Sequence, residues 1–331
     1  MSQCSQGKPI MHHFCRHALM LIFIPFAFFC AAAENIPYVA VTAIVEHPAL
    51  DSVRDGILAE LQENGYIQDE NLKFQYQSAQ GSSANAAQIA KQFVASKPDV
   101  IVAIATPSAQ ALAATTKAIP IVFTAVTDPV ASKLTKSWDA SGTNVTGVSD
   151  ALALDKQIDL MLNIKPALKS VGYIYSPGEV NSTTILNQLQ QKLAPKGIKI
   201  IAVPAQRTAD IPAAARSLKG SVDLIYTTTD NNVVSAYESL AKVANESKIP
   251  LIASDPAVVP RGAVAALGMS YYDLGRQAGK MVIRILNGEK PGTMPIEIGN
   301  VTQLVINKSA AARQGVIFSD KIVHSANKII D

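Results

Sequence analysis

Beyond residue 33 this 331-residue chain has no cysteine, because Cys4, Cys15 and Cys30 all fall in the first 33 positions. The segment from Glu34 to Asp331 is therefore no disulfide scaffold and has neither a thiol nucleophile nor a cysteine metal site. Histidine is scarce too: His12, His13 and His17 share the N-terminal stretch, leaving His47 and His324. Neither is flanked by a nucleophile motif, and G-x-x-x-x-G-K-[ST], G-x-S-x-G, H-E-x-x-H and a G-x-G-x-x-G after the first strand are all missing. No catalytic residue, metal site or cofactor is expected. Removing Lys8 and Arg16 from the 29 basic residues leaves 27 against 26 acidic ones, or +1, which argues against a nucleic-acid partner. No apolar run past residue 33 approaches membrane-span length.

The first 33 residues are different. Lys8 and Arg16, with no acidic residue, accompany the apolar run Ala18–Phe29, and Ala31-Ala32-Ala33 supplies small residues before Glu34. That is the order of a secretory signal peptide. A run of 12 residues is too short to cross a bilayer core of about 30 Å. Met11 is an alternative start. A lipid anchor on Cys30 is the competing reading, opposed by the bulky Phe28 and Phe29 before it. The mature chain is expected in the periplasm.

What the chain has most plainly is a repeat. Lys97-Pro98-Asp99-Val100-Ile101-Val102 is echoed by Ser221-Val222-Asp223-Leu224-Ile225-Tyr226, each followed by an Ala-rich helical stretch. Ile119-Pro120-Ile121-Val122-Phe123, running to Asp128-Pro129, is echoed by Ile249-Pro250-Leu251-Ile252-Ala253, running to Asp255-Pro256. The offsets are 124 for Asp99/Asp223, 130 for Pro120/Pro250 and 127 for Asp128/Asp255. A nearly constant offset between strand–helix–strand units implies two similar α/β lobes and a cleft between them.

Hydrophobic patterning agrees. Tyr38–Ile44 reads as a buried first strand, 51–64 as an amphipathic helix stopped by Gly65, 71–77 as a strand and 84–96 as a helix. Asn144–Ser149 looks like a crossing segment, after which the alternation restarts. The later strands are expected at 171–175, 198–203, around 224–229, at 250–253 and at 263–269, with one helix over 233–246. Residues 271–288 form a strong amphipathic helix. Alternating units of this kind favour parallel sheets with helices on both faces, so the expected class is α/β with two doubly wound parallel-sheet lobes. Lobe 1 is expected over 34–147 plus 271–295, and lobe 2 over 148–270 plus 296–331.

Ligands of open parallel sheets bind beyond the carboxyl ends of the strands. The residues there are uniform in kind: His47 after the first strand, then Thr106 and Ser108, Thr127 and Asp128, Asn181, Thr229, Asp230 and Asn231, and Asp255. Hydroxyls and amides at strand–helix junctions suit a carboxylate held at a helix N-terminus. Asp128, Asp230 and Asp255 supply charge for an ammonium. Together they suit a zwitterion such as an amino acid. The same residue types are preferred N-caps, so Ser108, Thr183 or Asn231 fits a cap as well as a contact. Trp138 and Tyr271-Tyr272 are aromatic candidates for stacking on a ligand, and His324, in a polar tail, reads as exposed.

These residues carry a family resemblance. Glu46–Asp51 with Gly56, Lys97–Val102, Ala105-Thr106-Pro107, Asp128-Pro129-Val130, Asn144–Val148, Thr229-Asp230-Asn231, Leu274–Ala278 and Ile285–Gly288 together resemble the substrate-binding proteins of bacterial ABC importers. More narrowly, they are similar to the group with tryptophan- and tyrosine-type amino-acid binders. The resemblance implies a type I periplasmic-binding-protein fold with three hinge crossings and helix 271–288 packed on the first lobe. It also supports Asp230 as a polar contact.

The function expected is non-enzymatic: a monomeric extracytoplasmic protein captures a small zwitterion, with an aromatic amino acid as the leading candidate. Capture is by hinge closure, followed by delivery to an ABC permease in the inner membrane. A ligand sensor serving a membrane receptor, a nucleoside or sugar binder, and a secreted enzyme are the competing readings.

Overall fold

The computed structural model describes residues 7–8 and 36–331; the apolar run and Cys30 of the expected signal peptide lie outside the described residues. The repeat has a local physical basis. Asp99 Oδ2 accepts a hydrogen bond from the Tyr38 N–H at 2.7 Å, tying the start of strand β1 (Tyr38–Ala43) to the start of β3 (Val100–Ile104). Asp223 Oδ2 does the same in the second lobe, accepting from the N–H groups of Lys169 and Ser170 at 2.8 Å each. It thereby ties β6 (Ser170–Tyr175) to β8 (Leu224–Thr227). The two echoed aspartates hold equivalent strand pairs at equivalent ends.

The first lobe runs β1, α1 (Pro48–Glu63), β2 (Lys73–Ser78), α2 (Ser83–Ser96), β3, α3 (Thr106–Thr115), β4 (Ile121–Val126) and β5 (Val145–Ser149). The second runs α4 (Leu154–Ile164), β6, α5 (Val180–Leu193), β7 (Lys199–Pro204), α6 (Ile211–Ser217), β8, α7 (Asn231–Ser235), α8 (Tyr237–Ser247), β9 (Leu251–Ala253) and β10 (Ala265–Met269). Then come α9 (Tyr271–Leu286), β11 (Glu297–Ile298), β12 (Thr302–Asn307) and β13 (Lys328–Ile330). The sheets are ordered β2-β1-β3-β4-β5-β11 and β7-β6-β8-β9-β10-β12-β13. Their first five strands follow one pattern, and the β10–β12 pairing is antiparallel while the others are parallel. Strands β1, β3 and β4 are buried along their whole length, which is why they read as continuous apolar runs.

Three sequence expectations are corrected. Val145–Ser149 is no crossing segment but a fully buried strand paired with β4. Its β-branched residues pack in the first sheet, and the crossing follows at 150–153. Glu297–Ile298, expected in lobe 2, pairs with β5 in the first sheet. The helix expected over 233–246 is broken at Ala236 (φ −103°, ψ 22°) into α7 and α8.

The chain passes between lobes three times: after β5, between β10 and α9, and between β11 and β12. The passages hydrogen-bond to one another's flanks, Gly299 N–H to Ser149 O at 2.9 Å and Ser270 N–H to Val301 O at 2.9 Å. Helix α9 packs on α1 at unusually close range. A Cβ on Gly275 would sit 2.1 Å from Val53 O, and one on Gly56 would sit 2.2 Å from Tyr272 O. Arg276 reaches from α9 to Glu60 and Glu63 of α1 at 2.5 Å each. This seam fixes the start of α9, and with it Tyr271, against the first lobe. Among the described residues no helix is long and apolar enough to cross a membrane.

Candidate functional site

In both sheets the strand order reverses between the first and third strands of the lobe, at β1/β3 and at β6/β8, and such switch points open a crevice at the strands' carboxyl ends. The two crevices face each other across a narrow gap. Lobe 1 contributes His47, Leu50, Ala105, Thr106 and Ala125, and lobe 2 contributes Asn181, Thr229, Asn231, Val234 and Asp255; Asp150 and Tyr271 come from the crossings. The lobes touch beside it, Thr127 Oγ1 lying 3.3 Å from Thr229 Oγ1.

On the lobe 1 side, His47 caps α1, its Nδ1 accepting from the Leu50 N–H at 3.5 Å. Burial and the charge of Arg261 lower its pKa to about 4, with the nearby Asn231 side chain opposing, so the imidazole is neutral at pH 7. Helix α3 starts with no side-chain cap. The N–H groups of its first turn have no intrahelical partner, and Pro107 has none to offer. Thr106 Oγ1 and Ser108 Oγ in that turn are buried without a hydrogen-bond partner. The residue before it, Ala105, has φ +74° and ψ 155°, a region essentially reserved for glycine. Ala125 is also left-handed, at φ +53°, where the β4–β5 register shifts between Thr124 and Val126. Two strained alanines thus line the same wall.

The lobe 2 side and the crossings are acidic. Asp255 Oδ1 caps the turn at the Ala257 N–H (2.8 Å), while its Oδ2 is buried and unpartnered. Burial raises its pKa to about 6, Asp150 adding to the push and Arg261 opposing it. Asp150 Oδ2 accepts from Tyr271 at 2.8 Å, Oδ1 is buried and unpartnered, and burial raises its pKa as well. Among the described residues no lysine or arginine lines the space. Arg261 is spent on Glu238, at 2.6 and 2.8 Å. The cavity therefore holds two carboxylates and lacks a cation.

Behind the lobe 2 wall sits Glu179, its pKa raised by burial and by the charge of Asp230. Its Oε2 accepts from Asn181 Nδ2 (3.0 Å), Asn231 N–H (3.1 Å) and Asn231 Nδ2 (2.7 Å).

Of the residues singled out from sequence, His47, Thr106, Asn181, Thr229, Asn231 and Asp255 line the space. Ser108 is buried without lining the space, and Thr127 meets Thr229 at the seam. Asp128 and Asp230 are elsewhere engaged. Asp128 Oδ1 caps a turn at the N–H groups of Val130 and Ala131. Asp230 Oδ1 caps α7 at Asn232 and Val233, and its Oδ2 accepts from the Ser176 N–H at 2.6 Å. With its oxygens saturated by backbone donors, Asp230 is a scaffold residue and not the free carboxylate expected. Tyr271 lines the space, whereas Tyr272 and Trp138 are 43% and 37% exposed, away from it. His324 is exposed as expected. Asp150 and Glu179 were not singled out. Reading 145–149 as a strand flags Asp150 at once, because it is the next residue.

Residues 38–330 match the family described as ABC transporter substrate binding protein. A tyrosine-binding protein of Clostridioides difficile (strain R20291) is 39% identical over 270 residues, 82% of this chain and 78% of the relative. The crystal structure of an ABC domain in complex with L-Trp from Streptococcus pneumonia is 32% identical, with TM-score 0.86 over 89% of this chain and 100% of that one. The ligand-free, open structure of a substrate-binding protein with adhesive properties from Clostridium difficile is 36% identical, covers 89% of this chain and 99% of that one, and has TM-score 0.68. Global shape here follows the ligand-bound relative more closely than the open one, although identity runs the other way.

Proposed function

Because the chain belongs to the family of ABC transporter substrate-binding proteins, we propose that it captures a free amino acid with an aromatic side chain between its lobes. The observation that carries this reading is the pair Asp150 and Asp255, two buried carboxylates each with an unpartnered oxygen on a cavity without a cation. An isolated buried carboxylate is costly, and a ligand ammonium offsets that cost. The uncapped start of α3, with the hydroxyls of Thr106 and Ser108, suits the ligand carboxylate. Leu50, Val234, Tyr271 and neutral His47 offer surface to a ring. The relatives that bind tyrosine and L-Trp support an aromatic side chain.

The working units of this proposal are a first lobe of 36–149 with 271–298 and a second of 154–269 with 302–331. The crossings between them act as the hinge, and the closed lobes exchange a solvated cleft for the enclosed space. No covalent step is needed. The protein works outside the cytoplasm, in the periplasm after removal of the signal peptide, as a single copy that hands its ligand to an ABC permease. The test is a melting-temperature screen of the purified mature chain against the twenty amino acids, nucleosides and sugars. A rise confined to tyrosine, tryptophan or both supports the reading. A rise with a nucleoside or sugar and none with any amino acid overturns it.

A further inference from the structure

We propose that the hinge carries a second ligand site, a cavity for a small neutral molecule with an apolar body and one hydrogen-bond donor, and that filling it favours the closed lobes and so tightens amino-acid binding. The site stands on its own observations, whereas its effect on affinity rests on the amino-acid reading above.

The cavity measures about 380 Å³, within the usual range for small-molecule sites. It shares no lining residue with the interlobe gap. All three crossings bound it. Leu152 and Ala153 lie in the first, Met269 ends β10 at the second, and Gly299, after Ile298, lies in the third. Its walls are chiefly apolar, and Ile298 leaves 50% of its surface exposed there. Closure turns the crossings, so a cavity they bound changes shape with the lobes. The shape it has here belongs to a molecule that follows the ligand-bound relative more closely than the open one. An occupant that fits this shape binds the closed form better and draws the equilibrium towards it, and by linkage the amino acid gains the same factor.

The polar group that points to a ligand is Gln157 of α4, which lines the cavity and is only 3% exposed. Leu154, Ile158 and Met161 on the same helix are core residues, so packing alone would be served by one more apolar side chain. Gln157 Nε2 donates to Leu267 O, on the cavity wall, at 2.7 Å. That bond fixes the amide and leaves Oε1 buried with no partner. A buried acceptor without a donor is costly, and an O–H or N–H on an occupant offsets the cost. The rest of the lining sets the charge. Among the described residues no aspartate or glutamate lines the cavity, so the ammonium of an amino acid has no counterpart there. Lys156 is exposed and solvated, so an anion gains little either. The occupant that fits is neutral, and it is chemically distinct from the amino acid held between the lobes.

The probes are two isomers of equal size, cyclohexylmethanol, which has a donor, and methoxycyclohexane, which has none. Neither carries the aromatic ring of the proposed ligand. Each is titrated into the mature protein labelled on its methionine methyl groups, with the Met269 signal read by NMR and assigned through Met269→Leu. Cyclohexylmethanol is expected to shift Met269 saturably and to bind at least about fivefold more tightly than its isomer. In Gln157→Leu the two isomers should bind equally. With the cavity saturated by cyclohexylmethanol, calorimetry of tyrosine and tryptophan should show about fivefold tighter binding of whichever the wild type takes. No saturable shift of Met269, equal binding of the isomers by the wild type, or displacement of cyclohexylmethanol by the amino acid overturns the site, and none of these results needs Gln157→Leu to fold. Unchanged or weaker amino-acid affinity with the cavity filled overturns the coupling. Binding of neither amino acid by the wild type overturns the amino-acid reading and the coupling with it, while the site stands on the isomer preference.

Discussion

Tyr271 donates its phenolic proton to Asp150 Oδ2 at 2.8 Å, and that one bond ties two of the interlobe crossings together beside the cavity. Asp150 follows the last parallel strand of lobe 1, and Tyr271 opens the helix that packs back on that lobe. Tyr271→Phe keeps the ring and removes the donor. Taking the partner from a buried carboxylate costs about 1–3 kcal/mol. The urea midpoint of the free protein should fall accordingly, and an unchanged midpoint counts against the bond.

Affinity should depend on pH through Asp255. Its pKa in the free protein is raised to about 6 by burial, so acidification relieves the free state as pH falls through 6. A bound ammonium favours the charged form. Below about pH 6 binding must therefore expel a proton, and affinity should drop by up to about tenfold per pH unit. His47, at about 4, stays neutral between pH 5 and 7.5 and adds nothing there. Calorimetry across that window in two buffers of different ionisation enthalpy detects the proton directly. Glu179 is raised as well, so the part that vanishes in Asp255→Asn is the part assigned to Asp255.

Strain at Ala105 predicts a stability gain from a substitution that normally costs stability. Relief of a backbone at φ +74° is worth about 1–3 kcal/mol, against about 0.5–1 kcal/mol for the added freedom of glycine. Ala105→Gly should raise the urea midpoint by the equivalent of about 1 kcal/mol while weakening ligand binding, because Thr106 is held less firmly. A lower midpoint would show that the alanine is not strained.

Gly275→Ala should do the opposite. In an exposed helix interior the change favours folding by about 0.5–1 kcal/mol. Here the new Cβ meets Val53 O at 2.1 Å, and α9 must lift from α1. A loss of about 1–3 kcal/mol is expected in chemical unfolding, and the sign alone decides.

The lobes were legible in the sequence because buried parallel strands are continuous apolar runs and because Asp99 and Asp223 mark the same strand start twice. The residues expected at the interlobe space were drawn from the same pattern: His47, Thr106, Thr229, Asn231 and Asp255, which line it, stand within a few residues of a strand's carboxyl end, and Asn181 lies in the first turn of the helix after β6. Asp128 and Asp230 were not separable from Asp255 by pattern. All three cap a turn or helix, and only Asp255 keeps an oxygen free for the cavity. Asp150 was hidden by its strand: Gly147 in a short Val-Thr-Gly-Val-Ser run looks like a bend, yet a Cβ there would meet Phe123 O at 2.2 Å, so glycine is what lets the strand pack. Gly56 and Gly275, which carry part of the family resemblance, belong to the α1–α9 seam and not to the ligand.

The central claim is that Asp150 and Asp255 await a ligand cation, and titration calorimetry of tyrosine and tryptophan into the wild type, Asp150→Asn and Asp255→Asn tests it most directly. The account predicts one-site binding to the wild type, weakened about tenfold to a hundredfold in each variant, with the melting temperature of the free variants equal to or above the wild type because a buried unpaired charge is gone. Undiminished binding by both variants would contradict it.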